Sequence, residues 1–208
     1  MKKIHYLFLS SLLASGSLMA QDAKNTDGRM VINDNATCTN HKENKVTLKL
    51  DAVNAKEMML SNTANFVGGG VKWETFSPAK EWKMAQGDGT KTVYVKFKDN
   101  AGKESKMVSA SIILDTQAPI PGTITMNKGE TLVRYSDVLL NFTAKGADYM
   151  WVANDKNFSK GTWEPYEAKK QWNLEDGEGK RTVFVKFKDS CGNEVMPISA
   201  TVTVDYDE

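Results

Sequence analysis

Histidine is nearly absent from this 208-residue chain: it has two, His5 and His41. His5 falls in an apolar N-terminal stretch, which leaves His41 as the one imidazole of the remainder. A single imidazole does not build a zinc centre without carboxylate or thiolate help, and the two cysteines, Cys38 and Cys191, lack metal-ligand spacing. A Ser–His or Cys–His nucleophile would need His41 to find distant partners, and no motif supplies them. No cofactor is expected. Charge of one sign is also missing. There are 27 basic and 26 acidic residues, a formal charge of +1, and the Lys and Arg are spread along the chain. That excludes the electrostatic footprint of a nucleic-acid or anionic-membrane binder. Carboxylates are common enough to form an acid–base pair, but no pattern marks one. A hydrolase of that kind is a third-ranked reading.

Long apolar runs are absent after the first twenty residues. Before that, Lys2 and Lys3 precede an apolar run over residues 6–13, then Ala14, Ser15, Gly16 and Ser17, then Leu18, Met19 and Ala20. This is the layout of a secretory signal peptide, with cleavage expected after Ala20. The run is well short of the roughly 20 residues a spanning helix needs. No membrane insertion is expected after cleavage. The protein is expected to be exported, to the periplasm or to the cell surface and beyond. Residues 21–29 read as a flexible leader.

What is abundant is self-similarity. Residues 91–104 (KTVYVKFKDNAGKE) match residues 181–194 (RTVFVKFKDSCGNE). Laid without a gap, residues 73–115 and 163–205 share 18 identities in 43 columns. Chance gives about three on usual residue frequencies. Upstream the offset grows by two residues, and Val46/Val138, Leu48/Leu140, Ala55/Ala147, Met58/Met150 and Asn62/Asn154 pair as identities. The change falls in Val67-Gly68-Gly69-Gly70, a turn that tolerates length changes. A unit of about 90 residues is a domain, since solenoid repeats run to about 20–50.

Each unit reads as strands. Val93, Val95 and Phe97 alternate with polar or aromatic neighbours, as do Val183, Val185 and Phe187. Val46-Leu48-Leu50, Leu140-Phe142-Ala144, Ile112-Leu114 and Val202-Val204 repeat the pattern. Period two with β-branched residues means one buried and one solvated face. Turn residues separate the runs, and no stretch has a helical period. The expected fold is all-β: two tandem immunoglobulin-like sandwiches, residues 30–115 and 123–208, joined by a stiff linker over residues 116–122 that holds Pro119 and Pro121.

The string formed by Asn62, Trp73, Trp82, Gly87-Asp88-Gly89, residues 91–99, Gly102 and Leu114-Asp115-Thr116-Gln117-Ala118-Pro119 resembles the bacterial immunoglobulin-like repeats of secreted and cell-surface proteins. The resemblance covers nearly all of the mature chain twice. It implies the fold and leaves function open, because such modules serve as spacers, adhesins and ligand binders.

Several residues remain as candidates. Cys38 and Cys191 each break the internal repeat, one in each unit. In an oxidising compartment they either pair, closing a very long loop worth about a few kcal/mol, or stand as one buried and one exposed thiol. Sequence leaves both open. Trp73/Trp163 and Trp82/Trp172 recur in both copies and read as fold-bearing. Trp151 replaces Met59 and Tyr149 replaces Glu57, both on the outward face of a strand, so they are the expected contact patch. Met58, Met84, Met107 and Met150 read as core filler. Asp99, Asp115 and Asp189, with Asp205, suggest calcium at the linker, against the plainer role of capping turns. No metal is the preferred reading. The chain is thus expected to be a non-catalytic exported component that binds another envelope or surface protein, or spaces one. The alternative is a polysaccharide or cell-wall binder using Trp151 and Tyr149.

Overall fold

In the computed structural model, which describes residues 28–207, the alternating segments form sixteen strands in two copies of one arrangement. Residues 1–20, read as a signal peptide, and residues 21–27 of the expected leader lie outside the described residues. The first copy comprises β1 (Arg29–Ile32), β2 (Cys38–Thr39), β3 (Lys45–Asp51), β4 (Ala55–Ser61), β5 (Glu74–Thr75), β6 (Ala79–Lys83), β7 (Gly89–Asp99) and β8 (Val108–Leu114). The second comprises β9 (Ile120–Met126), β10 (Leu132–Val133), β11 (Asp137–Lys145), β12 (Tyr149–Ala153), β13 (Glu164–Pro165), β14 (Lys169–Asn173), β15 (Gly179–Lys188) and β16 (Ile198–Val204).

Each copy packs a three-stranded sheet on a five-stranded one. The orders are β1-β3-β6 on β2-β8-β7-β4-β5, and β9-β11-β14 on β10-β16-β15-β12-β13. All pairings are antiparallel except β2 with β8 and β10 with β16. The alternating apolar residues supply the cores. Leu48, Met58, Val93, Val95, Phe97 and Leu114 are buried together in the first sandwich. Leu140, Met150, Val183, Val185, Phe187 and Val204 are buried together in the second. Each such side chain removed from water contributes about 1.5–3 kcal/mol. The two cores share no residue.

One device is repeated that the alternation does not reveal. Asn33 and Asn127 both take left-handed backbone conformations, with φ of 43° and 49°. Each carboxamide accepts a backbone N–H of the neighbouring strand, Thr47 in one copy and Leu139 in the other. Asparagine tolerates that conformation better than most residues.

Three expectations need correction. The leader is shorter than residues 21–29, because Arg29 already pairs with Asp51 in β1. The linker is shorter than residues 116–122, because β9 begins at Ile120 and pairs with β11. Two prolines suggested a connector, but Pro121 sits on an edge strand at a register shift, where a missing N–H costs nothing. Met107 precedes β8 and is exposed, so it fills no core.

Gly122 belongs to the same irregularity. A Cβ there would overlap the Thr143 hydroxyl and stand 2.7 Å from the Thr143 carbonyl oxygen. The Thr123 N–H donates to that same hydroxyl oxygen at 2.7 Å. Gly122→Ala is therefore expected to destabilise the second sandwich by about 1–3 kcal/mol, as overpacking does. Urea unfolding followed by tryptophan fluorescence checks this, and a variant unchanged in midpoint would contradict it.

Candidate functional site

Period two places Tyr149 and Trp151 on the outer face of the five-stranded sheet of the second sandwich. Antiparallel register sets Tyr149 opposite Lys188 and Trp151 opposite Lys186. Cross-strand neighbours on one face lie close enough to interact, so each lysine meets a ring. The loop between β12 and β13 then folds two further rings onto the pair. Trp151 makes edge-on contacts with Phe158 (centroids 5.8 Å apart) and with Trp163 (5.9 Å). The Lys186 ammonium stands over all three, 4.5 Å from Trp151, 5.1 Å from Phe158 and 4.9 Å from Trp163. Lys188 lies 4.4 Å from Trp163 and 5.4 Å from Tyr149.

The first sandwich carries a reduced version. Lys98 lies 3.8 Å from the Trp73 ring and Lys96 lies 5.4 Å from Phe66. There Met59 and Glu57 take the places of Trp151 and Tyr149, and Glu57 forms an ion pair with Lys98. A lysine over an aromatic face at such exposure contributes about 0.5–1 kcal/mol per contact.

This geometry corrects the expectation of an exposed Trp151. The residue faces outward, as the alternation implies, but its ring is half-buried. Its indole N–H is used as well, donating to the Lys160 carbonyl at 3.1 Å. Tyr149, 38% exposed, remains accessible. Sequence pattern missed Phe158 and Lys186. Phe158 recurs as Phe66, and Lys186 as Lys96, and those identities were the available signal.

The other two tryptophans of the repeat serve the fold. Trp172 packs against the core from the edge strand β14, and its N–H donates to Asn154 Oδ1 at 2.6 Å. The Asn154 amide donates in turn to the Asn173 carbonyl. Trp82, Asn62 and Lys83 repeat this chain of hydrogen bonds in the first copy. Beside Trp172 opens a cleft of about 450 Å³, bordered by Asn154, Asp155, Ser159, Lys160 and Glu175. The Ser159 hydroxyl and nearby backbone N–H groups hold the Asp155 carboxyl below its ordinary value.

At the junction of the sandwiches, Cys38 on β2 and Cys191 in the turn after β15 form a disulfide, with Cα atoms 5.4 Å apart. The Asn193 amide donates to the Asp115 carbonyl (2.9 Å) across the junction and to Asp189 Oδ2 (2.8 Å). Of the proposed calcium ligands, Asp115 and Asp189 are neighbours bridged by this Asn193 amide, but Asp99 and Asp205 lie elsewhere. Asp99 ends β7, whereas Gly89 at the other end pairs with Leu114 just before Asp115. An eleven-residue strand, roughly 35 Å long, separates them. Asp99 and Asp189 cap turns instead, accepting the N–H groups of Lys103 and Asn193. Asp205 gathers with Glu178 and Asp207 at the far pole of the second sandwich, where Arg134 lies 3.4 Å from its carboxylate. His41 accepts the Glu43 N–H in an exposed turn.

No family model and no curated protein matches the chain. Among solved structures, it is similar to the fibronectin(III)-like modules of CbhA from Clostridium thermocellum. The two share 10% identity at a TM-score of 0.54, over 85% of this chain and 94% of that one. This likeness speaks for the fold, an all-β fibronectin- or immunoglobulin-like sandwich architecture.

Proposed function

We propose that this is a non-catalytic exported protein that acts as a binding, adhesion or spacer component of a cell-envelope or surface assembly. Its partner on this reading is another envelope or surface protein. The observation that carries the proposal is the junction: the Cys38–Cys191 disulfide ties two separately closed sandwiches pole to pole. Such a unit presents fixed sheet faces and needs no moving part. A disulfide also fits an oxidising compartment outside the cytoplasm.

The face offered to the partner is the outer sheet of the second sandwich around Tyr149. Tyr and Trp supply large contact area at protein interfaces, and the first sandwich lacks both residues at these positions. The Trp151 ring is already edge-packed and covered by Lys186, which leaves no flat ring for a sugar and favours a protein contact here.

A photo-crosslinker placed at Tyr149, irradiated in native cells, is expected to give a discrete protein adduct identifiable by mass spectrometry. The adduct should vanish when the Lys188 side chain beside it becomes Glu. Absence of any protein adduct would overturn the reading. So would polysaccharide retention that is lost on Tyr149→Ala, which would assign the same face to glycan.

A further inference from the structure

We infer that the cleft beside Trp172 is a saccharide-binding subsite, and that Trp151 is the residue that positions its wall. This goes beyond the protein contact proposed for the outer face, and it stands on different residues.

The internal duplication acts as a control. Residues needed by the fold recur in both copies: Asn62/Asn154, Phe66/Phe158, Trp73/Trp163 and Trp82/Trp172. The equivalent groove of the first sandwich is bordered by Ser61, Thr63, Val67, three glycines (Gly68, Gly69 and Gly70) and Lys83, beside Asn62 and Trp82. In the second, Asp155 replaces Thr63, Ser159 replaces Val67, and Glu175 replaces Ala85. Lys160 stands where the first copy has glycines, in a loop two residues shorter. The second cleft thus gains Ser159, Lys160 and Glu175 and exchanges Thr63 for Asp155, while Ser61 and Lys83 of the first groove give way to Ala153 and Asn173.

The loop that carries them is held from both sides. Asp155 accepts from the Asn157 N–H (2.9 Å), the Ser159 N–H (3.2 Å) and the Ser159 hydroxyl (2.7 Å). From the opposite side the Trp151 indole donates to the Lys160 carbonyl and lies under Gly161, where a Cβ would stand 3.3 Å from its nitrogen. Phe158 holds the same left-handed φ of 53° as Phe66 in the first copy, and here alone its ring has an edge contact with a tryptophan, Trp151. Met59, in the first copy, has no N–H to give. Trp151 therefore acts through the loop, as a brace.

The lining defines the ligand. The Trp172 N–H is consumed by Asn154, so where this residue borders the cleft it offers carbon rather than a free donor. At the mouth, Lys160 and Glu175 face each other at 3.8 Å, both largely exposed, one a donor and one an acceptor. Mixed signs give no attraction for an anion. An apolar floor with a donor and a carboxylate at the rim suits a ring with hydroxyls around its edge, which is a pyranose. A volume of about 450 Å³ lies within the usual range of small-ligand sites.

The test titrates the processed protein, disulfide intact, with cellohexaose, xylohexaose, mannohexaose and chitohexaose, read by 1H–15N correlation spectra. At least one of the four is expected to shift the Trp172 indole and the Ser159, Lys160 and Glu175 amides saturably, leaving the Trp82 indole in place. Lys160→Ala combined with Glu175→Asn, a residue suited to the left-handed φ of 69° at that position, should weaken binding at least tenfold. Trp151→Met should weaken it too, with added mobility confined to residues 159–162. Tyr149→Ala should have no effect, which separates this site from the outer-face contact. No saturable shift from any sugar, equal shifts at Trp82, or full affinity in the Lys160/Glu175 variant would overturn the inference.

Discussion

Phe187→Ala is expected to unfold the second sandwich well below the melting temperature of the first. Phe187 is fully buried and meets Phe142 and Tyr166 edge-on, at 6.4 and 5.9 Å between ring centres. Truncating a buried phenylalanine removes transfer energy and leaves a cavity, at a cost of about 3–5 kcal/mol. A domain of this size is stable by roughly 5–12 kcal/mol in total. The loss is thus a quarter of the stability or more, and a fall of roughly 12–40 °C in melting temperature follows for a domain of about 90 residues. The first core shares no residue with the second, so its transition should hardly move. Scanning calorimetry should show one low and one unchanged transition. Two transitions that fall together would mean a single cooperative core.

The double variant Cys38→Ser/Cys191→Ser is expected to lose about 2–4 kcal/mol. The bond joins residues 153 apart in sequence, so it removes much freedom from the unfolded chain. The full entropic value is not expected, because Cys38 sits on a two-residue strand that yields locally. Without the bond, the Asn193 side chain still reaches the Asp115 carbonyl. One such hydrogen bond contributes only about 1 kcal/mol, too little to couple the sandwiches. Urea unfolding should therefore still show a transition for each sandwich, the first of them at a lower midpoint than in the oxidised protein. An unchanged midpoint would show that the bond adds nothing to stability.

The fold was legible because burial follows a period of two, and the duplication shows that period twice. Val93, Val95 and Phe97 point inward for the same reason as Val183, Val185 and Phe187. The site was legible only in part. Alternation puts Trp151 on the outer face, but what covers it depends on how the loop through Phe158 and Trp163 folds back, and loop geometry leaves no periodic trace. Asn62 and Asn154 stood out as identities, yet their bond to the tryptophan twenty or eighteen residues on is a tertiary contact. Asp99 was grouped with Asp115 as an acidic residue near the linker. Antiparallel strands end at alternate poles, and that places them at opposite ends of β7. Pro121 was read as linker because proline interrupts ladders, and an edge strand with a register shift removes that objection.

Residual dipolar couplings of the processed protein, measured in one alignment medium with the disulfide intact and then in the Cys38→Ser/Cys191→Ser variant, test the tethering on which the proposed role rests. Couplings from β3 and β7 and those from β11 and β15 should fit one common alignment tensor in the oxidised protein and two different tensors in the variant. Two tensors in the oxidised protein would show that the sandwiches move freely despite the bond, and would contradict the proposal.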